Sequence, residues 1–153
     1  MLSKVKSMAL NGLEGYLVEI ETFISSGMPE FEIVGLGDTT VKEAKKRVEA
    51  AIKNSKIDFP TQKILINLAP ANLRKVGSHF DLAILVGILI ATNKIPQIDT
   101  NKLAQTIFIG ELSLEGKLNR VNGVLAMCLE AKELGIKRVI LPKANANEAG
   151  IIE

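Results

Sequence analysis

Cysteine is almost missing from this chain. Cys128 is the only one, which excludes an intramolecular disulfide framework and predicts a reducing compartment, the cytoplasm. Histidine is equally scarce. With His79 and Cys128 the only residues of their types, a transition-metal site would need carboxylates gathered from distant segments, and no ligand-spaced pair is present; no metal site is expected. A dominant charge is lacking as well. Nineteen basic against 17 acidic residues leave a net charge of +2, too balanced to establish nucleic-acid binding by overall electrostatics.

Long apolar runs are also absent. The longest uncharged one, Leu82 to Ala91, is half of the about 20 residues a membrane-spanning helix needs, so no membrane association is expected. The leading MLSKVKSMALNGLEGY has neither the continuous apolar core nor the small-residue cleavage site of an export signal, and none is predicted. There is no G-x-x-x-x-G-K-[ST] phosphate loop, no internal repeat, no low-complexity tract and no long linker. With 153 residues, 47% of them hydrophobic, the chain can fill one core without staples, and a single domain over 1–153 is expected.

What is present centres on NLAPANLRKVGSHFDLAILVGILIATN, Asn67 to Asn93: a strand end, a polar loop and an almost wholly apolar helix. A helix without a polar face must be buried on most sides. Ser78 and Asp81 stand at capping-box spacing, which predicts a helix starting near His79. Elsewhere, period-two alternation predicts strands over Ser7–Asn11 and Tyr16–Ser25, joined at Gly12 to Gly15, and a third over Phe31–Val34. Thr40 and Glu43 form a second capping-box pattern. Val41, Ala44, Val48, Ala51 and Ile52 then recur at helical spacing, predicting an amphipathic helix to about Ser55. Lys63–Leu68 reads as a strand, Pro96 ends the buried-helix region, Thr106–Gly110 reads as a strand, and Glu111–Val121 as a hairpin turning at Glu115-Gly116. A helix from about Asn122 to Leu134 closes at Gly135, before a strand over Arg138–Leu141 and a short helix over Ala144–Ala149. The sum is an α/β (α+β) domain.

The chemical candidates are few. Val34-Gly35-Leu36-Gly37-Asp38-Thr39-Thr40 follows a strand and opens a helix, as a dinucleotide loop does. Thr40 stands at the third glycine position, however, and Asp38 puts a negative charge where pyrophosphate would sit, so a turn and helix cap is the preferred reading. Cys128 falls on an apolar helical face and reads as core. Arg74, Lys75 and His79, in a glycine-containing loop before a helix, are the candidate phosphate contacts. A solvated loop with an ordinary cap is the simpler account, because no aromatics are interleaved.

Three blocks, FEIVGLGDTTVKEAKKRV, ILINLAPANLRKVGSHFDLAILVGIL and GELSLEGKLNRVNGV, resemble in order the amino-terminal domain of the magnesium-chelatase-like ComM/YifB proteins of bacteria. The resemblance implies the ribosomal protein S5 domain 2-like fold shared with the Lon protease domain: two layers, with a mixed sheet packed against helices. It implies an AAA+ ATPase module after residue 153, making this chain a piece of a longer protein. Within that protein it implies a homo-oligomer, a hexamer, that promotes branch migration of DNA during natural transformation. ATP and Mg would bind in that module, with no cofactor in this segment.

Lon-type peptidases use a serine nucleophile and a lysine base. Set against the Lon pattern KDGPSAGIA, KVGSHFDLA places His79 at the nucleophile and Asp81 at the following glycine; the later block places Leu125 at the lysine. Both members of the dyad are missing, which implies a peptidase fold without peptidase chemistry. The implied roles are ring assembly, with the chain's own ATPase module as partner, and contact with DNA. The alternative is a divergent peptidase or hydrolase using the neighbouring Ser78.

Overall fold

The computed structural model describes residues 1–73, 75–95 and 98–150. Among them, the chain opens with β1 (Leu2–Asn11), turns at Gly12 and returns as β2 (Glu14–Ser25), paired without a break from Leu2↔Phe23 to Asn11↔Glu14. There follow β3 (Glu30–Val34), α1 (Asp38–Asn54), β4 (Lys63–Ala69), α2 (Asp81–Ala91), α3 (Thr100–Ala104) and β5 (Thr106–Phe108). A small hairpin of β6 (Glu111–Leu112) and β7 (Leu118–Asn119) leads to α4 (Val124–Glu133), β8 (Arg138–Ile140), a 3-10 turn and α5 (Ala146–Ala149). Six strands form one sheet in the order β3-β4-β2-β1-β5-β8. It is mixed: β2 runs antiparallel to β1 and β4, and the outer pairings are parallel.

Alternation along the strands decides which side chains meet which helices. Val5, Ile20, Ile66 and Leu68 point to one face, where they pack with Val48 and Ile52 of α1 and Ile84 and Ile88 of α2, all essentially without exposure. Burying each such side chain contributes about 1.5–3 kcal/mol, so this inner face is the main driving force of the fold. α2, apolar on nearly every side, is buried there as its composition requires. The outer face is covered at one end only, where Val124, Met127, Cys128 and Ala131 of α4 meet Met8, Ile107 and Ile109. At its other end Leu2, Phe23, Val34 and Leu65 remain exposed.

Several boundaries differ from the sequence expectation. β1 begins five residues earlier than Ser7, because Ser3 and Ser7 are buried on the inner face, where the pattern called for apolar residues. α3 was not anticipated; its five residues are capped by Asp99, whose carboxylate accepts from the Asn101 amide at 2.8 Å. α1 starts at Asp38 behind Gly37, and no side chain caps it, so the Thr40–Glu43 capping box does not form. α2 ends at Ala91, with the Thr92 hydroxyl donating to the Ile88 carbonyl at 2.7 Å. Pro96, expected to end that region, lies outside the described residues.

Helix α2 lies close against the sheet at Gly87. A Cβ there would stand 2.5 Å from Thr22 Oγ1, a buried hydroxyl with no hydrogen-bond partner among the described residues. Gly87→Ala is therefore expected to destabilise by about 1–2 kcal/mol, overpacking outweighing the helix-propensity gain. Adding Thr22→Ala removes the obstructing oxygen and should restore stability to the parent level or above in thermal melts. A Gly87→Ala loss that Thr22→Ala leaves unchanged would refute the contact.

Candidate functional site

The loop after β4 and the start of α2 hold the polar side chains that the sequence singled out. Each is tied to a neighbour by its own chemistry. Lys75 is 2% exposed, its ammonium donating to the Leu73 carbonyl at 2.6 Å and to the Pro70 carbonyl. Burial lowers its pKa below the ordinary lysine range. In this arrangement the cation is turned inward onto carbonyls of its own loop and is not presented to an external phosphate. Arg74, the other basic candidate, lies outside the described residues.

His79 is half-buried, stacked 4.1 Å from the Phe80 ring, with Nε2 2.8 Å from the Met8 carbonyl of β1. Because that partner only accepts, Nε2 carries the proton and donates. Burial holds the ring below the usual histidine pKa, so it is neutral at pH 7 and brings no positive charge to a phosphate.

The expected cap at Ser78 and Asp81 does not form either. α2 begins at Asp81 behind Phe80, without a side-chain cap, because both polar side chains have partners more than 30 residues away. The Ser78 hydroxyl donates to the Glu111 carboxylate, which also accepts from Asn119 Nδ2 at 3.2 Å. Asp81 is 1% exposed; its carboxylate accepts from Arg47 Nε at 2.6 Å and Nη2 at 3.1 Å, and from the Leu112 amide at 3.1 Å. Burial pushes Asp81 upward against the pull of Arg47, while the bond to Asp81 raises Arg47 in turn. Backbone bonds complete the joint: Gly110 N donates to the His79 carbonyl at 2.9 Å, and Leu82 N to the Gly110 carbonyl at 3.1 Å.

A cleft of about 300 Å³ opens beside this joint, lined by Ser78, His79, Glu111, Arg120 and Asn122 among others. Its reactive potential is small. Glu111 is held below the usual glutamate pKa, first by the Ser78 hydroxyl, and a weakly basic carboxylate is a poor acceptor for a serine proton. Leu125, at the position implied for the lysine, is a partly exposed residue of α4 and is not among the residues lining the cleft. Cys128 is 5% exposed on the inward side of α4, its thiol pKa raised by burial; this is core chemistry, not a nucleophile's. At the GLGDTT loop, Gly35 takes φ +97°, and Asp38 occupies the first turn of α1.

Sequence reading missed the two residues that organise the joint, Arg47 and Glu111. One signal was available for Arg47: it lies three residues after Ala44 and four before Ala51, on the apolar stripe of α1, a position a solvated arginine avoids. Glu111 carries no such mark, being set by the pairing of β6 with β7.

The comparisons with known proteins agree with this architecture. The family described as subunit ChlI of Mg-chelatase matches residues 20–145. Competence protein ComM of Haemophilus influenzae is 43% identical over 151 residues, 99% of this chain and 29% of ComM. YifB of Escherichia coli is 42% identical over 151 residues, with the same shares. A Lon protease of Methanosphaera stadtmanae is 28% identical over 152 residues, 94% of this chain and 18% of the protease. The chain thus spans less than a third of the length of ComM and YifB. Among the described residues, no helix is long and apolar enough to cross a membrane. With a mixed sheet packed against helices in the ChlI/Lon-like manner, and with ComM and YifB as homologues, the chain belongs to the Mg-chelatase ChlI family.

Proposed function

We propose that this chain is the N-terminal domain of a longer, cytoplasmic ComM-like AAA+ ATPase, in which it performs no bond chemistry of its own. Its work is assembly of the ring, a hexamer, through its own ATPase module, and contact with DNA in branch migration during natural transformation. ATP and Mg belong to the module beyond residue 153. One observation carries the non-catalytic reading: the described titratable and hydroxyl side chains of the loop and the start of α2 are spent on internal bonds. Lys75 holds carbonyls, Ser78 holds Glu111, His79 holds Met8 and Asp81 holds Arg47. A reaction centre keeps at least one such group aimed at substrate.

The Ser78–Glu111 bond also favours a second reading, a serine hydrolase with Glu111 as base. A fluorophosphonate probe separates the two. No labelling is expected; labelling that disappears in Ser78→Ala would establish the hydrolase. For DNA contact, Arg74 is the remaining loop candidate, since Lys75 and His79 are internally bonded. Binding of the full-length protein to single-stranded and branched DNA, measured across a salt series, should weaken in Arg74→Ala. The salt slope should fall by about one per lost phosphate contact. An unchanged slope removes this loop as the DNA site.

A further inference from the structure

The bare end of the outer sheet face forms an ordered strip. Leu2, Phe23 and Leu65 are direct cross-strand neighbours on β1, β2 and β4, and Val34 lies diagonally beside Leu65 on β3. Cross-strand neighbours on one face touch, so these side chains make one apolar patch. Polar rows border it on both sides: Lys63 and Glu30, 3.9 Å apart, on one, and Lys4 opposite Glu21, which accepts from Asn67 at 3.0 Å, on the other. An apolar centre with a polar rim is how a protein contact surface is built.

We propose that this patch docks the ATPase module of the same polypeptide, an inference that rests on the function proposed above. Three observations select this occupant. Nucleic acid is disfavoured, because Glu19, Glu21 and Glu30 stand on this face opposite Lys6, Lys4 and Lys63, while Glu32 lies directly opposite Leu65 with no lysine across from it, and these carboxylates would repel phosphate. A second free copy is disfavoured by size. The four apolar side chains are 43–55% exposed; half of the roughly 200 Å² that a large side chain offers gives about 400 Å² in all. A stable complex between separate molecules buries about 800 Å² on each partner. A tethered module meets the patch at an effective concentration in the millimolar range, and contacts between domains of one chain are correspondingly modest. Finally, ComM and YifB are more than three times as long as the matched segment, so there is polypeptide to occupy the face.

The test uses the full-length protein with benzoylphenylalanine in place of Phe23. On irradiation, adducts within one polypeptide are expected, joining position 23 to residues beyond 153. Adducts between two copies, adducts to added DNA, or no adduct would each overturn the proposal. As a second measurement, Leu65→Lys leaves the inner core intact and should raise limited proteolysis between domain and module several-fold; an unchanged rate overturns the docking. A fluorescent ATP analogue in the same samples tests the underlying reading separately. Nucleotide binding without the intramolecular adduct rejects the docking alone, and absence of nucleotide binding rejects the ATPase reading.

Discussion

Arg47→Ala is expected to lower the stability of the fold by about 3 kcal/mol, the range for a buried ion pair broken from one side. Asp81 is 1% exposed and draws two of its three hydrogen bonds from Arg47. Without them the buried carboxylate keeps only the Leu112 amide, at a junction of α1, α2 and β6. The sign of the pH dependence follows. In the variant, burial raises the folded-state pKa of Asp81 further above its unfolded value, so the folded form binds the proton more readily than the unfolded chain. The deficit is full above the folded pKa and shrinks as pH falls through it. Urea melts of parent and variant should therefore converge as the pH is lowered. Arg47→Met combined with Asp81→Leu removes both charges at similar volume and should recover most of the loss. A single-variant loss below about 1 kcal/mol, or one independent of pH, would mean that the pair is not the buried clamp described.

Gly35→Ala should cost a comparable amount, about 3 kcal/mol, for a different reason. Its φ of +97° lies outside what an L side chain adopts comfortably, and a Cβ would sit 2.5 Å from the Leu68 carbonyl oxygen and 3.1 Å from the Leu68 amide. Those atoms cannot retreat, since β4 is held by β3 on one side and β2 on the other. Gly12→Ala is the control. Gly12 has φ +66° with nothing within 4 Å of a new Cβ, so only the conformational cost of about 1 kcal/mol applies. The difference between the two thermal melts isolates the steric part; equal losses would show that β4 yields. The GLG motif thus contains a backbone crossing, which explains Gly35 without a nucleotide.

Periodicity made the scaffold legible. The alternation of β2, β3 and β4, the apolar stripe of α1, the uniform apolarity of α2 and Gly135 after α4 each follow from local rules that tertiary packing did not overturn. The capping box at Ser78 and Asp81 was misread for a physical reason. Ser, Thr, Asp and Glu at that spacing can satisfy helix amides, but the same groups bond anything else that arrives closer. At Ser78 and Asp81 the competitors, Glu111 and Arg47, come from 33 and 34 residues away. No local window reveals them. The burial of Lys75 was equally illegible: a lysine in a polar loop is ordinarily solvated, and only the path of the loop shows its ammonium enclosed by carbonyls. β1 was truncated because the buried Ser3 is spent on α2, its hydroxyl donating to the Gly87 carbonyl at 2.9 Å, a bond that hydrophobic periodicity scores as solvent-facing.

β1 has one more consequence. The same ten residues give Val5 and Ala9 to the core under α1 and α2, and Met8 to the core under α4, while the Met8 carbonyl holds His79. Neither core can open without withdrawing the strand that the other also needs. A half-melted form that keeps one layer after β1 is lost is thereby disfavoured, and the domain is expected to unfold as a single cooperative unit, with the same urea midpoint for probes placed in either core. That all-or-none behaviour would make the sheet a rigid coupling between its two helical layers rather than a compliant hinge.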